Sequence, residues 1–205
     1  MDRVKIIGKF GNDYCADDDT YIMGIDVRFT NHLAKRFKKR VVLETCSGAG
    51  FTLISLAKYA KQVYSVEIDY LRLKFAKKNA KIAGVERKIT FINGDITTKK
   101  IINSIHHFDA AFIDPDWAVT GVNHIYKFLN SNTSPPSDKL LNFITKRTSN
   151  ITLIQPPFVN KDEFKNLPLH ECEHLYLNEE LALYCLHFGE LARIVGESKF
   201  EINDK

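Results

Sequence analysis

The run Val41-Val42-Leu43-Glu44-Thr45-Cys46-Ser47-Gly48-Ala49-Gly50-Phe51-Thr52-Leu53-Ile54-Ser55-Leu56-Ala57 passes without a break from an apolar segment, through a turn with two glycines, into an apolar helical pattern. It reads as strand, glycine turn and helix, an order that lets the backbone approach a ligand closely because glycine carries no Cβ. Further strand patterns stand at 63–67, 89–92, 110–113 and 151–154. Helical patterns near 51–60, 70–83, 96–105 and 138–146 separate them, and Gly84 is placed to end the second of these helices. Strands alternating with helices imply parallel crossovers and a sheet covered on both faces. The last two strand-like runs, 169–177 and 181–188, are separated only by Asn178-Glu179-Glu180. So short a connection requires an antiparallel hairpin. Residues 190–205 are expected to add a short helix or strand and then fray.

The glycine turn is compatible with two kinds of cofactor. A dinucleotide fingerprint needs a third small residue three positions past the second glycine, and Leu53 stands there. Glu44, directly before the turn, would repel a diphosphate, yet it suits the cationic ammonium of S-adenosylmethionine (AdoMet). Both facts favour AdoMet over NAD. Glu67 ends the second strand, at an expected exposed sheet edge, where its carboxylate can accept hydrogen bonds from two ribose hydroxyls. Asp95 ends the third and can accept one from an adenine amino group, with Ile68 and Ile96 flanking the ring. Each has a plainer reading: Glu67 as a charge near a helix start, Asp95 as a helix cap. The ordered set is stronger than any member.

The fourth strand runs into Asp114-Pro115-Asp116-Trp117. An exocyclic amine on a purine is a poor nucleophile, because its lone pair is delocalised into the ring. A carboxylate and a backbone carbonyl that accept its two hydrogens turn the lone pair toward a methyl donor, and an aromatic ring stacks on the base. That is catalysis by orientation and electrostatics. Asp114 supplies the carboxylate, Pro115 the carbonyl and Trp117 the stacking face; the plain alternative is a strand-end turn with a half-buried Trp. Cys46 as a nucleophile is disfavoured, since no His is paired with it locally.

Val42 to Asp95 resembles the class I AdoMet-dependent methyltransferases, and specifically the RNA cap guanine-N2 methyltransferase (trimethylguanosine synthase-like) family. Glu44 to Ala57 is similar to that family's acidic-x-x-Cys/Ser-Gly-x-Gly loop and the helix after it. Glu67-Ile68-Asp69, Ala76-Lys77-Lys78-Asn79-Ala80 and Gly94-Asp95 match its next segments in order. The pair Phe29-Thr30 resembles the aromatic-Thr of its pre-loop segment, although Asn31-His32 replaces the family's Pro-Glu. The resemblance spans about residues 20–120. It implies an α/β Rossmann-like class I methyltransferase fold, with a mostly parallel seven-stranded sheet and an antiparallel C-terminal hairpin. It also implies AdoMet held by Thr30, Glu44, Cys46, Gly48, Gly50, Glu67, Ile68, Asp95 and Ile96, and an acceptor held by Asp114, Pro115 and Trp117. The favoured acceptor is guanine N2 in RNA. Adenine N6, a small-molecule amine, or AdoMet binding without turnover as part of a complex are the alternatives. Asp116 departs from the family's Asp/Asn/Ser-Pro-Pro-aromatic pattern; losing the second proline removes a constraint on φ and implies a looser loop.

With 205 residues and 44% hydrophobic content the chain has enough apolar side chains for one substantial core. No apolar run approaches the ~18 residues of a membrane span, and the start lacks a signal-peptide core, which implies a cytoplasmic location. The net charge of +4 permits a nucleic-acid partner without demanding one, and the oligomeric state is open. The expected organisation is an N-terminal segment, 1–40, capping the cofactor site, a methyltransferase domain, 41–190, and a tail, 191–205. Within the first segment, Asp17-Asp18-Asp19 reads as a solvated loop, Thr30 as the N-cap of a helix over 31–38, and Lys35-Arg36-Phe37-Lys38-Lys39-Arg40 as a solvated helix face able to meet phosphates. Residues 131–137, Ser-Asn-Thr-Ser-Pro-Pro-Ser, form a loop placed to cover a substrate. The four cysteines make no disulfide framework. An uninterrupted hairpin turning at Asn178-Glu179 would set Cys185 and His187 opposite Cys172 and His170, a possible zinc face with His174; a semi-exposed hairpin face is the preferred reading, with no metal.

Overall fold

The computed structural model describes residues 2–117 and 126–204. The chain divides into two compact units, one up to residue 110 and the other from residue 111.

In the first unit, α1 (Arg3–Phe10), α2 (Asp18–Met23) and α3 (Val27–Ala34) precede β1 (Val41–Thr45). Then come α4 (Phe51–Tyr59), β2 (Gln62–Glu67), α5 (Tyr70–Ile82), β3 (Ile89–Asn93) and α6 (Lys99–Ser104). The strands lie in the order β3-β2-β1, all parallel. Val42, Leu43, Val63, Leu53, Leu56 and Ala57 are all fully buried, which is why strand and helix here read as almost wholly apolar. Gly84 ends α5 as anticipated: at φ 68° it lets Val85 N reach Ala80 O and its own N reach Lys81 O, a Schellman closure.

Three expectations for the N-terminal region fail. Asp17-Asp18-Asp19 starts a helix, because Asp17 accepts from Thr20 N while the Thr20 hydroxyl closes a capping box on Asp17 N. Thr30 is not a cap: Asp26 caps α3, and Thr30 sits inside the helix, 1% exposed, its hydroxyl 2.8 Å from Ser55 Oγ on α4. The basic run is no helix face. α3 stops at Ala34, a 3-10 turn follows over Lys35–Phe37, and Arg36 and Phe37 are buried while Lys35, Lys38 and Lys39 face solvent. The expected helix over 96–105 shrinks to α6, since Asp95 and Thr98 organise a turn first.

The second unit holds β4 (Ala110–Ile113), α7 (Ser137–Ile144), β5 (Ile151–Gln155), β6 (His170–Leu177), β7 (Glu180–Phe188) and β8 (Gly196–Ile202). The order is β4-β5-β7-β6-β8. β4 and β5 are parallel, β7 is antiparallel to both β5 and β6, and β8 lies parallel to β6. The supposed tail therefore supplies a further strand. Among the described residues the strands number eight, not seven.

The hairpin turns at Asn178 and Glu179, both in the left-handed region (φ 51° and 69°), as a two-residue turn between right-twisted strands requires. Its register is not the uninterrupted one. Leu175 pairs with Leu183 and Tyr176 with Leu181, so Ala182 is an extra residue in β7, a β-bulge. Cys172 consequently pairs with Leu186, and Cys185 and His187 pair with Glu173 and Glu171, on the other face. The four-residue zinc face is excluded by that one residue. His187 instead lies fully buried between Glu173 (Nε2 to Oε2, 2.9 Å) and the Thr152 hydroxyl (Nδ1 to Oγ1, 2.8 Å).

Candidate active site

In the first unit the turn after β1 is built by its own backbone and by β2. Cys46, Gly48 and Gly50 all have positive φ, 58°, 52° and 83°. Ser47 N donates to Val66 O, Ser65 Oγ to Ser47 Oγ, and Gly50 N to Ser47 O. Glu67 is 5% exposed, not an open sheet-edge carboxylate: one oxygen accepts Gly48 N at 2.7 Å and the other Asp69 N at 2.8 Å. A carboxylate has about four acceptor positions, so both oxygens can still receive hydroxyls. Asp69, with Leu71 N and Arg72 N on one oxygen, caps α5.

The two glycines have different jobs. A Cβ on Gly50 would stand 3.0 Å from Ala76 Cα and Cβ, so this glycine lets α4 approach α5. A Cβ on Gly48 would meet nothing within 4 Å, so the space above the loop lies at Gly48. Glu44 is 1% exposed at the end of β1, and Ile68, beside Glu67, is 69% exposed. Asp95 is half-buried and accepts from Thr97 N and its hydroxyl through one oxygen. Ile96 is buried, 4% exposed, and presents little of itself to a ring. The Thr30 hydroxyl is engaged by Ser55 on α4.

Asn79, quoted above only as part of a matched segment, anchors the glycine turn. It is fully buried on α5; its amide donates to Cys15 O (2.8 Å) and Ala49 O (2.9 Å), and its carbonyl accepts Cys15 N (2.7 Å). One side chain thus ties the N-terminal segment to the glycine turn. The signal was a lone amide on the apolar face of a helix, beside Leu73, Ala76 and Ala80, which must hydrogen-bond to be buried there. Around it Phe10 stacks on Phe51 at 3.6 Å, and Ile6, Tyr14, Ala49 and Ile54 complete the cluster.

In the second unit, Asp114 follows β4 directly. Trp117 Nε1 donates to Asp114 Oδ1 over a long 3.4 Å. Desolvation pushes the Asp114 carboxyl up to about 7; the indole N–H works against that rise, and the Asp116 carboxylate adds to it. Pro115 is buried, and Trp117 is half-buried. The loop is not slack for want of a second proline. Asp116 N donates to Ser134 O (3.0 Å) and Ser134 N to Asp116 O (2.7 Å), a two-bond bridge for which a proline has no N–H. Residues 131–137 brace this turn: Ser131, Thr133 and Ser137 are buried, with the Thr133 hydroxyl at the centre of contacts to Ser131, Pro135 O and Ser137. Gln155, at the end of β5, donates to Ser137 Oγ.

The backbone matches a candidate methyltransferase of Porphyromonas gingivalis W83 with a TM-score of 0.74 at 14% identity, over 91% of this chain and 47% of that one. The fold is the Rossmann-like class I methyltransferase fold. A family model described as RNA cap guanine-N2 methyltransferase matches residues 39–180, and the chain belongs to that family. Trimethylguanosine synthase of Schizosaccharomyces pombe is 34% identical over 80 residues, 38% of this chain and 33% of that protein. An uncharacterised RNA methyltransferase of Fusobacterium nucleatum is 33% identical over 78 residues, 37% of this chain and 17% of its own length. The aligned part of the chain thus spans a third or less of these relatives. Among the described residues no helix is long and apolar enough to cross a membrane.

Proposed function

We propose that the chain is an AdoMet-dependent N-methyltransferase whose acceptor is an exocyclic amine in RNA, with guanine N2 as the position. The residues of the first unit fit the cofactor: the space at Gly48 admits a ligand against the turn, Glu67 keeps acceptor positions for ribose hydroxyls, and the exposed Ile68 offers an apolar face for adenine. Glu44 would take the methionyl ammonium and Asp95 the adenine amino group. AdoMet supplies a sulfonium-activated methyl group; the remaining work falls to the chain.

The observation that carries the reading is the Asp114 carboxyl, poised at about 7 beside Trp117 at the end of β4. In its ionised form it accepts an amine hydrogen and, with the Pro115 carbonyl, aims the nitrogen lone pair. As positive charge builds on that nitrogen the carboxylate stabilises it. A carboxylate with so raised a pKa is also a far better acceptor for the departing proton than an ordinary one. Trp117 holds the base by stacking. The family description and the trimethylguanosine synthase relative support guanine N2 and RNA. The test is incubation with labelled AdoMet and total RNA, followed by digestion to nucleosides. N2-methylguanosine is expected; label on adenosine N6, or AdoMet bound in calorimetry without any transfer, would refute the reading.

A further inference from the structure

Two aromatic side chains of the second unit extend the acceptor motif beyond Trp117. Tyr126, 7% exposed, meets Trp117 edge-on at 6.4 Å and 80°. Its ring also lies near-parallel to Phe158, at 6.1 Å and 24°. β4 and β5 are parallel neighbours, with Ile113 paired to Leu153, so the segments that follow them leave the sheet at the same carboxyl edge. β5 ends at Gln155 and runs into Pro156-Pro157-Phe158, two φ-restricted residues ahead of an aromatic.

Phe158 is 75% exposed. A lone exposed Phe would call for no explanation. This one, however, is aligned by the ring behind it. The Tyr126 strip is itself fixed to the segment after β5, since Phe128 N and Leu129 N both donate to one oxygen of Glu163 (2.8 and 2.7 Å). The Gln155 amide donates to Ser137 Oγ and to Ile154 O, which leaves Phe158 as the exposed member of the turn. Lys127, exposed, is adjacent in the chain to Tyr126. An aromatic platform one ring beyond the acceptor-stacking Trp, with a cation nearby, suits a strand of nucleotides: every base has a π-face, and the phosphate between two bases is anionic.

We propose that Phe158 is the stacking platform for the nucleotide that flanks the acceptor base in single-stranded RNA. This rests on the methyltransferase reading for which base is the acceptor, but not for whether the platform binds. The chain has a single tryptophan, Trp117, so its fluorescence reports occupancy of the acceptor motif directly. Titrations would use guanosine monophosphate and a five-nucleotide single-stranded RNA with a central guanine, each with the full chain. Wild type is expected to bind the pentanucleotide more tightly. Phe158→Ala should weaken that binding about 5- to 150-fold, the range for loss of one stacked base. Mononucleotide affinity should stay within about twofold, and Phe158→Tyr should restore pentanucleotide binding. Equal losses for both probes, or no loss for either, would overturn the platform, as would a wild type indifferent to the flanking nucleotides. Transfer of labelled methyl to the same pentanucleotide is followed in parallel. Phe158-dependent binding without transfer removes the enzymatic reading and keeps the platform; transfer with Phe158-independent binding does the reverse.

Discussion

Asp114 couples function to stability in opposite senses. Its folded value of about 7 stands well above the ~3.9 of an unfolded aspartate, so between these values the native state binds more protons than the unfolded one. Stability from this group is full below about pH 4 and is lost as pH rises through about 7. Asp114→Asn should therefore raise the melting temperature at pH 8 and leave it nearly unchanged near pH 4, as scanning calorimetry at the two pH values will read. Activity should move the other way. Wild-type kcat/KM should climb through about pH 7 as the carboxylate forms, and the amide variant should be slower and lack that rise. The identity and order of Asp114, Pro115 and Trp117 were legible in the sequence, because they follow a strand whose apolar pattern is unambiguous. The raised carboxyl was not, since it depends on how densely folded protein surrounds it. Glu67 was misjudged for the same reason: its place at a strand end could be read, but not that Gly48 N and Asp69 N fold over it.

At the level of turns and loops, the two glycines of the AdoMet-type turn should separate under mutation. Gly50→Val drives a side chain against the Ala76 backbone at a strained positive φ, and a loss of about 2–4 kcal/mol in urea melts is expected. Gly48→Ala meets no neighbour and should cost only about 1–2 kcal/mol for its left-handed backbone, while weakening AdoMet binding in calorimetry more than it weakens the fold. Asp116→Pro is a third test. It supplies the residue the family pattern asks for and removes the N–H that holds Ser134, so it should lower the melting temperature; an unchanged melting temperature would mean the bridge is dispensable. Element types after residue 40 could be read because strand and helix periods alternate cleanly there. The N-terminal helices could not, because they are short and are set by caps at Asp2, Asp17 and Asp26 and not by long apolar stripes. Ala182 was equally invisible, since nothing in composition marks a bulged alanine.

Over the described residues as a whole, both terminal segments are structural. The N-terminal residues are fastened through Cys15 to Asn79, and the C-terminal strand β8 runs along β6 and closes with Asn178 bonded to Asp204. Asn79→Ala leaves three backbone groups without their partner and should cost about 2–4 kcal/mol. It should also speed proteolytic cleavage ahead of residue 17 before the remainder unfolds; cleavage no faster than wild type would show that the aromatic cluster around Phe10 and Phe51 suffices alone. The extra residue in β7 bears on length in a way that its packing does not suggest. Because Ala182 is already the unpaired residue, its removal would leave Leu183 opposite Leu175 and keep Cys185 and His187 opposite Glu173 and Glu171, so no side chain would change face. A one-residue deletion should therefore be tolerated at Ala182, whereas the same deletion in the regularly paired stretch beyond Leu183 should turn the buried side of the strand outward.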